Sequence, residues 1–441
     1  MSRATTQVSS QARQGDRPTV LFIEAVAAMG GVQFSTLYLA QALDCARWNP
    51  IVVCREEGDL MSLCRERGIE EHVVEQPPMW STSVRLGRAR LPNPFAWIHN
   101  ALAVARGANR LRTFLRQSSP DVIVTKGLST HFVGGIAARR LGIPCIWHVQ
   151  DLVSERTFGI YRAIFGFAAQ RLAMHIVTDG AAIGKQLPSS IRPRVSVVHN
   201  GIDINVFRSN LDGRSIRKEF DIPPDHLVIG HAGRITPWKG QHYLLEAFAR
   251  LAGEYPRVSL LLAGSPVFDH DGYERRLRTM AAELGLEDRI KFAGYRHDLP
   301  QVLAAMDVFA FTSIEKDTSP LALLSAMSSA LPIVAFDIDG VRELIDTDEQ
   351  LLRVPVESSA ELANALVRLI ADADLRSQLG LAARKLAEQK YSLERYVRGI
   401  ETVLVRALQS TTNLTTEVTE KYDDNTVNIS AGASVSSVVR S

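Results

Sequence analysis

Two cations lie on one short segment of the sequence, between a predicted strand and a predicted helix. The segment is Gly230–Gln241, and it contains Arg234 and Lys239. The strand before it spans 227–232, and the helix after it has apolar residues at helical spacing, namely Leu244, Ala247, Phe248 and Leu251. The segment therefore lies at the carboxyl end of a strand. In open parallel sheets ligands bind at this edge, and the N–H groups at the start of the following helix can bind an anion. The segment therefore predicts a diphosphate site, with two solvated loop charges as the alternative.

A second segment, 312–327, also follows a predicted strand and leads into a helix. Thr318 or Ser319 can cap that helix, which leaves the N–H groups of Leu321 and Ala322 free for an anion. Asp317 precedes this turn, where a carboxylate would repel phosphate. We therefore expect Asp317 to accept hydrogen bonds from sugar hydroxyls, with a helix-capping carboxylate as the alternative.

The amino-terminal half offers two further candidates. Gly30 and Gly31 lie between the first predicted strand and a helix, where paired glycines permit close approach of a ligand to the backbone. No GxGxxG pattern accompanies them, so a plain tight turn is the alternative. His148 follows the predicted strand 143–147 and is expected at the carboxyl edge of that sheet, facing a cleft. The alternative is a structural role, which is more common for a lone histidine.

The composition is that of a globular chain. It has 441 residues, 46% hydrophobic and 22% charged, with a formal net charge of +2. The length suggests about two or three domains. Four cysteines without CxxC spacing argue against a zinc site or a disulfide framework, and the first 17 residues lack an apolar segment. We expect reduced thiols and a cytoplasmic protein, with peripheral attachment at the inner face of the membrane left open.

Short β-rich runs alternate with helical patterns along the chain. Two series of strands are predicted, at 18–24, 50–54, 122–125, 143–147, 174–178 and 195–198, and then at 227–232, 258–263, 289–293, 307–312 and 331–336. Alternating βα units imply parallel sheets with helices on both faces. The sequence therefore predicts an α/β protein with two doubly wound, Rossmann-like domains.

The domain limits follow from these series and from composition. We predict an amino-terminal domain at 18–205, a carboxyl-terminal domain at 216–390 and a crossover helix at 391–409. Residues 1–17 and 410–441 lack helical periodicity and are predicted to be disordered tails.

These features together resemble the retaining glycosyltransferases of family 4, which have the two-domain GT-B fold. The resemblance spans roughly residues 18 to 405. It rests on the order and spacing of several segments: Gly30-Gly31, Val198–Asp203 with Phe207, Gly233–Gly240, Leu261–Gly264, Gly294–Asp298, Ala305–Phe309 and Leu331–Glu343.

The resemblance implies a nucleotide-sugar donor, UDP- or GDP-linked, lying against the carboxyl-terminal domain. Arg234 and Lys239 would neutralise its diphosphate without a metal, and no other cofactor is implied. Asp317 would hold the donor sugar, and His148 and Gly31 would approach it from the other domain. Asn200, Gly233 and the helix start at Thr318, Ser319, Leu321 and Ala322 complete the implied contacts.

One position departs from the family pattern. The family shows two acids separated by seven residues, and counting from Asp317 places Ser325 at the second. That acid binds the nucleotide ribose in the family, and a serine lacks its charge-assisted hydrogen bonds, worth roughly 1.5–3 kcal/mol each. A weakened enzyme, compensation by Glu315 and a protein that only binds its ligand are all open.

An arginine-rich segment runs from Ser81 to Gln117. It has no acidic residue and contains seven arginines, Arg85, Arg88, Arg90, Arg106, Arg110, Arg112 and Arg116. Apolar residues are interleaved, which suits contact with an anionic membrane. A solvated basic face is the alternative, and nucleic acid is not expected because no binding module accompanies the charge.

The sequence therefore predicts a retaining, metal-independent glycosyltransferase. It would move a sugar from a nucleotide diphosphate to a saccharide or lipid-linked acceptor, in cell-surface polysaccharide or glycoconjugate synthesis. A non-catalytic binding protein with the same fold and a nucleotide-sugar epimerase are the alternatives.

Overall fold

The computed structural model describes residues 17–86, 89–150, 160–266, 271–315 and 317–410. For residues 83–86, 89–92, 160 and 271 it describes the backbone alone. The predicted disordered tails, apart from Arg17 and Ser410, lie outside the described residues.

The chain forms two parallel sheets and one small hairpin. The first sheet has seven strands in the order β3-β2-β1-β6-β7-β8-β9, and the second has six in the order β12-β11-β10-β13-β14-β15. Strands β4 and β5 pair antiparallel outside both sheets. The strands are β1 Thr19–Glu24, β2 Asn49–Cys54, β3 Glu70–Val73, β4 Ser83–Leu86, β5 Ala89–Pro92, β6 Val122–Lys126, β7 Cys145–Val149, β8 His175–Thr178, β9 Val195–Val197, β10 Leu227–Ala232, β11 Val258–Ala263, β12 Ile290–Gly294, β13 Val308–Phe311, β14 Ile333–Phe336 and β15 Leu352–Val354.

Helices connect the strands of both sheets. They are α1 Gly31–Ala42, α2 Asp59–Glu66, α3 Pro94–Ser118, α4 Leu128–Arg139, α5 Ile160–Leu172, α6 Ala181–Gln186, α7 Arg214–Glu219, α8 Gln241–Ala252, α9 Asp271–Glu283, α10 Leu299–Ala304, α11 Leu321–Ser328, α12 Asp339–Leu344, α13 Ser359–Ala371, α14 Ala373–Lys390 and α15 at 393–410.

The last two helices belong to different sheets. Leu386 and Ala387 of α14 are buried with residues of the second sheet, in one apolar core. Tyr396, Ile400 and Leu404 of α15 are instead buried with residues of the first sheet. The chain therefore returns to the first sheet at its carboxyl end, joining the two halves a second time.

The predicted fold is confirmed, although four short strands escaped prediction. Each predicted strand of both series matches an observed strand within three residues at either end. The strands β3 and β15 are edge strands of four and three residues, and β4 and β5 form the hairpin. Strand β3 begins with two glutamates, so it lacks the apolar pattern that marks the buried strands. The domain limits 18–205 and 216–390 stay predictions.

Both sheets reverse their strand order beside their first strand. In the first sheet the reversal lies between β1 and β6, and in the second between β10 and β13. Ligands of doubly wound sheets bind outside the carboxyl ends of the strands at such a point. The loops that follow these four strands are therefore expected to form a ligand site.

Candidate active site between the two sheets

A single large cleft joins the loops that follow β1, β6, β10 and β13. Its volume is about 2640 Å³. Pockets for one drug-sized ligand are roughly 300–1,000 Å³, so the cleft has room for a donor and an acceptor together. Twelve of the predicted site residues line it: Gly30, Gly31, Asn200, Gly233, Arg234, Lys239, Asp317, Thr318, Ser319, Leu321, Ala322 and Ser325.

Lys239 and Asp317 form an ion pair in this cleft. Nζ of Lys239 lies 2.5 Å from Oδ2 of Asp317, and their side chains are 10% and 18% exposed. The pair joins the loop after β10 to the loop after β13. A second bond ties the same loops, because Oγ1 of Thr312 donates to the carbonyl of Lys239 at 2.8 Å. At Gly240, which has φ +67°, a Cβ would lie 2.1 Å from the Thr312 carbonyl oxygen.

Arg234 reaches the loop of the opposite sheet. A Cβ added at Gly30 would lie 3.9 Å from Cζ and Nη1 of Arg234. At Gly31 the added Cβ would meet no protein atom within 4 Å. Gly30 therefore lies close to the Arg234 guanidinium, and Gly31 faces open space.

A buried hydrogen-bonded chain fixes the backbone at Arg234. Nε2 of Gln241 donates to the Arg234 carbonyl at 2.8 Å and to Nε2 of His231 at 3.3 Å. Nδ1 of His231 in turn donates to the Ala310 carbonyl at 3.0 Å. Burial lowers the pKa of His231 to about 4, so the ring is neutral near pH 7 and both nitrogens can take these roles.

The start of α11 differs from the expected cap. Pro320, rather than Thr318 or Ser319, occupies the cap position, and no side chain caps the helix. The Ser319 hydroxyl instead accepts the N–H of Asn200 at 2.9 Å, and Nδ2 of Asn200 donates to the Ser319 carbonyl at 2.8 Å. These bonds connect the two sheets and leave the first turn of α11 facing the cleft.

His148 does not line the cleft, contrary to expectation. Its side chain is fully buried, and Nε2 lies 2.6 Å from Oδ1 of Asp179. Burial lowers the pKa of His148, so a neutral ring donates this bond. Oδ2 of Asp179 accepts from Nε2 of Gln150 at 2.8 Å and from Nδ2 of Asn200 at 3.1 Å. Asp179 and Gln150 line the cleft above His148.

A second buried network lies beside it. Glu24 and Lys126 are register partners at the ends of β1 and β6, and both side chains are buried. Burial raises the pKa of Glu24, while the same burial lowers that of Lys126. Nζ of Lys126 donates to Oγ of Ser35 at 2.8 Å. Glu24 and Lys126 thus lie near each other, and Glu24 lines the cleft.

Neither a metal site nor a membrane span is found in the described part of the chain. There, no group of three or more histidine, cysteine or acidic residues is placed to hold a metal ion. Among the helices described, none is both long and apolar enough to cross a bilayer.

Comparison with known proteins agrees with this geometry. The family model described as Glycosyltransferase Family 4 matches residues 29–206, and that described as Glycosyl transferases group 1 matches residues 212–386. The D-inositol 3-phosphate glycosyltransferase of Stackebrandtia nassauensis is 33% identical over 342 residues, 73% of this chain and 74% of that protein. The chain belongs to glycosyltransferase family 4.

Other family 4 relatives and solved structures are also similar. The UDP-Gal:alpha-D-GlcNAc-diphosphoundecaprenol alpha-1,3-galactosyltransferase of Escherichia coli is 27% identical, over 59% of this chain and 69% of that protein. The crystal structure of Anabaena HepE in complex with UDP and glucose matches with a TM-score of 0.74 and 25% identity. That match covers 88% of this chain and 100% of the HepE chain. The fold is GT-B, and the protein is a glycosyltransferase.

Two cleft residues of this family 4 enzyme escaped sequence reasoning. Asp179 follows β8, and Gln150 follows β7, both at the carboxyl edge of the first sheet. A polar residue directly after a buried strand was the signal available for each. The sequence singled out His148 instead, because histidine is a common catalytic residue. His148 lies within β7, where successive side chains point to opposite faces of the sheet.

Ser325 faces the cleft from the second turn of α11. It is 2% exposed and lines the cavity with Leu321 and Ala322. The equivalence of Ser325 with the second acid of the family pattern stays a prediction.

Proposed function

We propose that this family 4 enzyme binds a nucleotide-diphosphate sugar with Arg234, Lys239 and Asp317, and transfers the sugar with retention of configuration. The observation that carries the proposal is the gathering of both cations and the carboxylate on the loops after β10 and β13, facing Gly30 and Gly31. A guanidinium and an ammonium group both donate charged hydrogen bonds, which suit the oxygens of a diphosphate.

The Lys239–Asp317 pair suits a site that receives both phosphate and sugar. An ammonium has three donors, and Asp317 uses one of them at 2.5 Å. The others remain for phosphate oxygens. The carboxylate can then accept hydroxyl groups of the donor sugar while the ammonium holds it in place.

Charge development explains how these groups accelerate transfer. As the bond between C1 of the sugar and the phosphate oxygen breaks, negative charge grows on the leaving diphosphate. Fixed cations and the free N–H groups at the start of α11 stabilise that charge more in the transition state than in the ground state. The cations do the work that a metal ion does in other transferases, so we propose metal-independent catalysis.

The proposed step is balanced without a protein nucleophile. The oxygen of an acceptor hydroxyl forms a bond to C1 of the sugar. It attacks from the same face from which the leaving group departs, while the bond from C1 to the phosphate oxygen breaks. The hydroxyl proton passes to that departing phosphate oxygen. The products are a glycoside of retained configuration and a nucleoside diphosphate.

UDP is the proposed nucleotide. HepE, 25% identical, was crystallised in complex with UDP and glucose. The test is to titrate the protein with UDP, GDP, ADP and CMP by calorimetry in the presence of EDTA. Selective binding of UDP supports the proposal, and preference for another diphosphate would reassign the base. Absence of any binding would contradict the donor site itself.

The acceptor is proposed to be a saccharide or a lipid-linked saccharide used in cell-surface glycoconjugate synthesis. The name of the Escherichia coli relative specifies a diphosphoundecaprenol-linked acceptor for that protein. We also propose that residues 81–117 contact an anionic membrane from its inner face. Four of their arginines lie on α3, Arg85 and Arg90 lie in the hairpin, and Arg88 lies outside the described residues.

The second candidate function, binding without catalysis, rests on Ser325. A serine in place of the ribose-binding acid weakens nucleotide binding about tenfold or more, since one charge-assisted bond is worth roughly 1.5–3 kcal/mol. The family assignment favours transfer over the epimerase alternative. Replacement of Ser325 by an acid distinguishes the two candidates, because only an enzyme would gain turnover as well as nucleotide affinity.

A further inference from the structure

One lobe of the cleft differs in chemistry from the rest. It lies between residues 79–82 and the helices α3, α4 and α5, and no charged side chain of the described residues lines it. Its walls are mostly apolar and include Met79, Trp80, Trp97, Val104, Phe132 and Ile164. The opposite lobe, between α2 and residues 295–300, is lined by Asp59, Glu66, Arg67 and Arg296. Among the side chains that the structure describes, charge is therefore absent from this end of the cleft and present at the other.

The polar groups of the apolar lobe are uncharged: they are the hydroxyls of Ser81, Thr82, Ser129 and Tyr161 and one amide. Its amide belongs to Asn100, whose Oδ1 accepts the Trp80 N–H at 2.8 Å and whose Nδ2 donates to the Trp80 carbonyl at 2.9 Å. One face of Trp80 is covered by His99, with ring centroids 3.9 Å apart. Burial raises the pKa of the Tyr161 hydroxyl. A sugar chain or a phosphate would find few partners here, whereas a hydrocarbon chain needs none.

The outer surface beside the lobe is apolar as well. Phe95, Ile98 and Leu102 follow one another along α3 and are 75%, 64% and 50% exposed. On the next face of the same helix, Trp97, Asn100, Ala101 and Val104 line the lobe. An exposed apolar stripe thus lies beside the face of α3 that lines the cavity, and contiguous exposed apolar patches mark binding surfaces.

The charge around this stripe favours a lipid partner. From residue 76 to residue 120 the sequence contains seven arginines and no acidic residue. Arg106 and Arg110 lie on α3 beyond the stripe. An apolar stripe on a segment rich in arginine and free of acidic residues is complementary to an anionic bilayer, with hydrocarbon beneath phosphate headgroups.

We propose that the apolar lobe binds the isoprenoid or acyl chain of a lipid-linked acceptor. The stripe on α3 leads that chain from the bilayer into the cleft, and the acceptor hydroxyl then points toward the donor site at Lys239. This inference rests on the proposed transfer reaction, and it narrows the acceptor from any saccharide to one with a long apolar chain.

The test uses farnesyl monophosphate as a single-chain probe and inorganic phosphate as the headgroup alone. Calorimetry compares the full chain with two variants of α3, Ala101→Phe and Ala105→Phe. Ala101 lines the lobe, whereas Ala105 is exposed on the same helix and does not line the cleft. Filling the lobe should weaken farnesyl phosphate binding about tenfold or more, as overpacking does elsewhere. The Ala105→Phe control should bind like the parent. Inorganic phosphate can reach only the cations of the donor site, so it should bind equally to the parent and to both variants.

Titration of each variant with UDP keeps the two proposals separate. Normal UDP binding with no farnesyl phosphate binding to the parent would overturn the lipid lobe and leave the donor site intact. Equal binding by both phenylalanine variants would overturn it too, and so would binding of maltotriose in place of the lipid. Loss of UDP binding by the parent would instead contradict the proposed function.

Discussion

The ammonium of Lys239 lies 2.5 Å from the carboxylate of Asp317, and this contact joins the loops at the switch point of the second sheet. The two residues stand 78 positions apart in the chain. Their pairing places a cation and a carboxylate at the same edge of the cleft, so that one group can meet phosphate and the other a sugar. The site predictions below depend on this arrangement.

Removal of either proposed phosphate ligand should nearly abolish transfer. We expect Lys239→Ala and Arg234→Ala each to lower the turnover of the nucleotide sugar at least about a hundredfold, because each loses roughly 3 kcal/mol of transition-state stabilisation. The measurement is release of nucleoside diphosphate from the sugar donor. Near-normal rates in either variant would remove these residues from the assignment.

An acid at position 325 should improve the donor site. We expect Ser325→Glu to raise UDP affinity about tenfold through a charge-assisted bond to the ribose. Calorimetry measures the affinity, and nucleotide release measures turnover. A rise in both identifies the parent as a weakened enzyme. Tighter binding without turnover supports a protein that only binds, and Ser325→Gln serves as the uncharged control.

The loop that carries Asp317 should depend on a glycine. A Cβ at Gly340 would lie 1.8 Å from the Asp317 carbonyl oxygen. We expect Gly340→Ala to displace that loop and to lower turnover about tenfold or more, since small misplacements of reacting groups are costly. Gly253→Ala is the matched control, because no atom lies within 4 Å of its Cβ position and its backbone is helical. Equal turnover in the two variants would contradict the prediction.

Stability should fall in mild acid because His231 is buried and neutral. Its pKa is about 4 in the folded chain and 6.5 ordinarily. Between pH 6.5 and pH 4, His231 binds a proton in the unfolded chain but not in the folded chain. The free energy of unfolding therefore decreases as pH falls through this range. The loss amounts to about 3 kcal/mol.

Thermal unfolding at several pH values tests this sign. His231→Gln has no proton to bind at this position, so its unfolding midpoint should change less between pH 6.5 and pH 4 than that of the parent. An identical pH dependence in parent and variant would show that burial of His231 contributes nothing to acid sensitivity.

Most of the site was predictable because sequence order fixes sheet order in doubly wound folds. Arg234 and Lys239 follow β10 and Asp317 follows β13, so adjacent parallel strands bring them to one edge. The loop containing Gly30 and Gly31 follows β1 in the same way. Buried strands appear in the sequence as continuous apolar runs, so the loops that follow them can be located without a structure.

Side-chain direction was harder to predict than position. His148 was expected in the cleft, yet it lies beneath Asp179 and contacts it at 2.6 Å. Strand ends are uncertain by a residue or more, and a shift of one residue along a strand exchanges the two faces. The capping role expected of Ser319 was wrong for a different reason, because its hydroxyl accepts the N–H of Asn200 from the other half of the chain.

UDP binding by calorimetry in EDTA, for the parent and for Lys239→Ala, tests the central claim most directly. Our account predicts that the parent binds UDP without metal and that Lys239→Ala binds it at least about tenfold more weakly, since a charged hydrogen-bond partner is lost. Undetectable binding by the parent, or equal affinity in both proteins, would contradict the assignment of the diphosphate site.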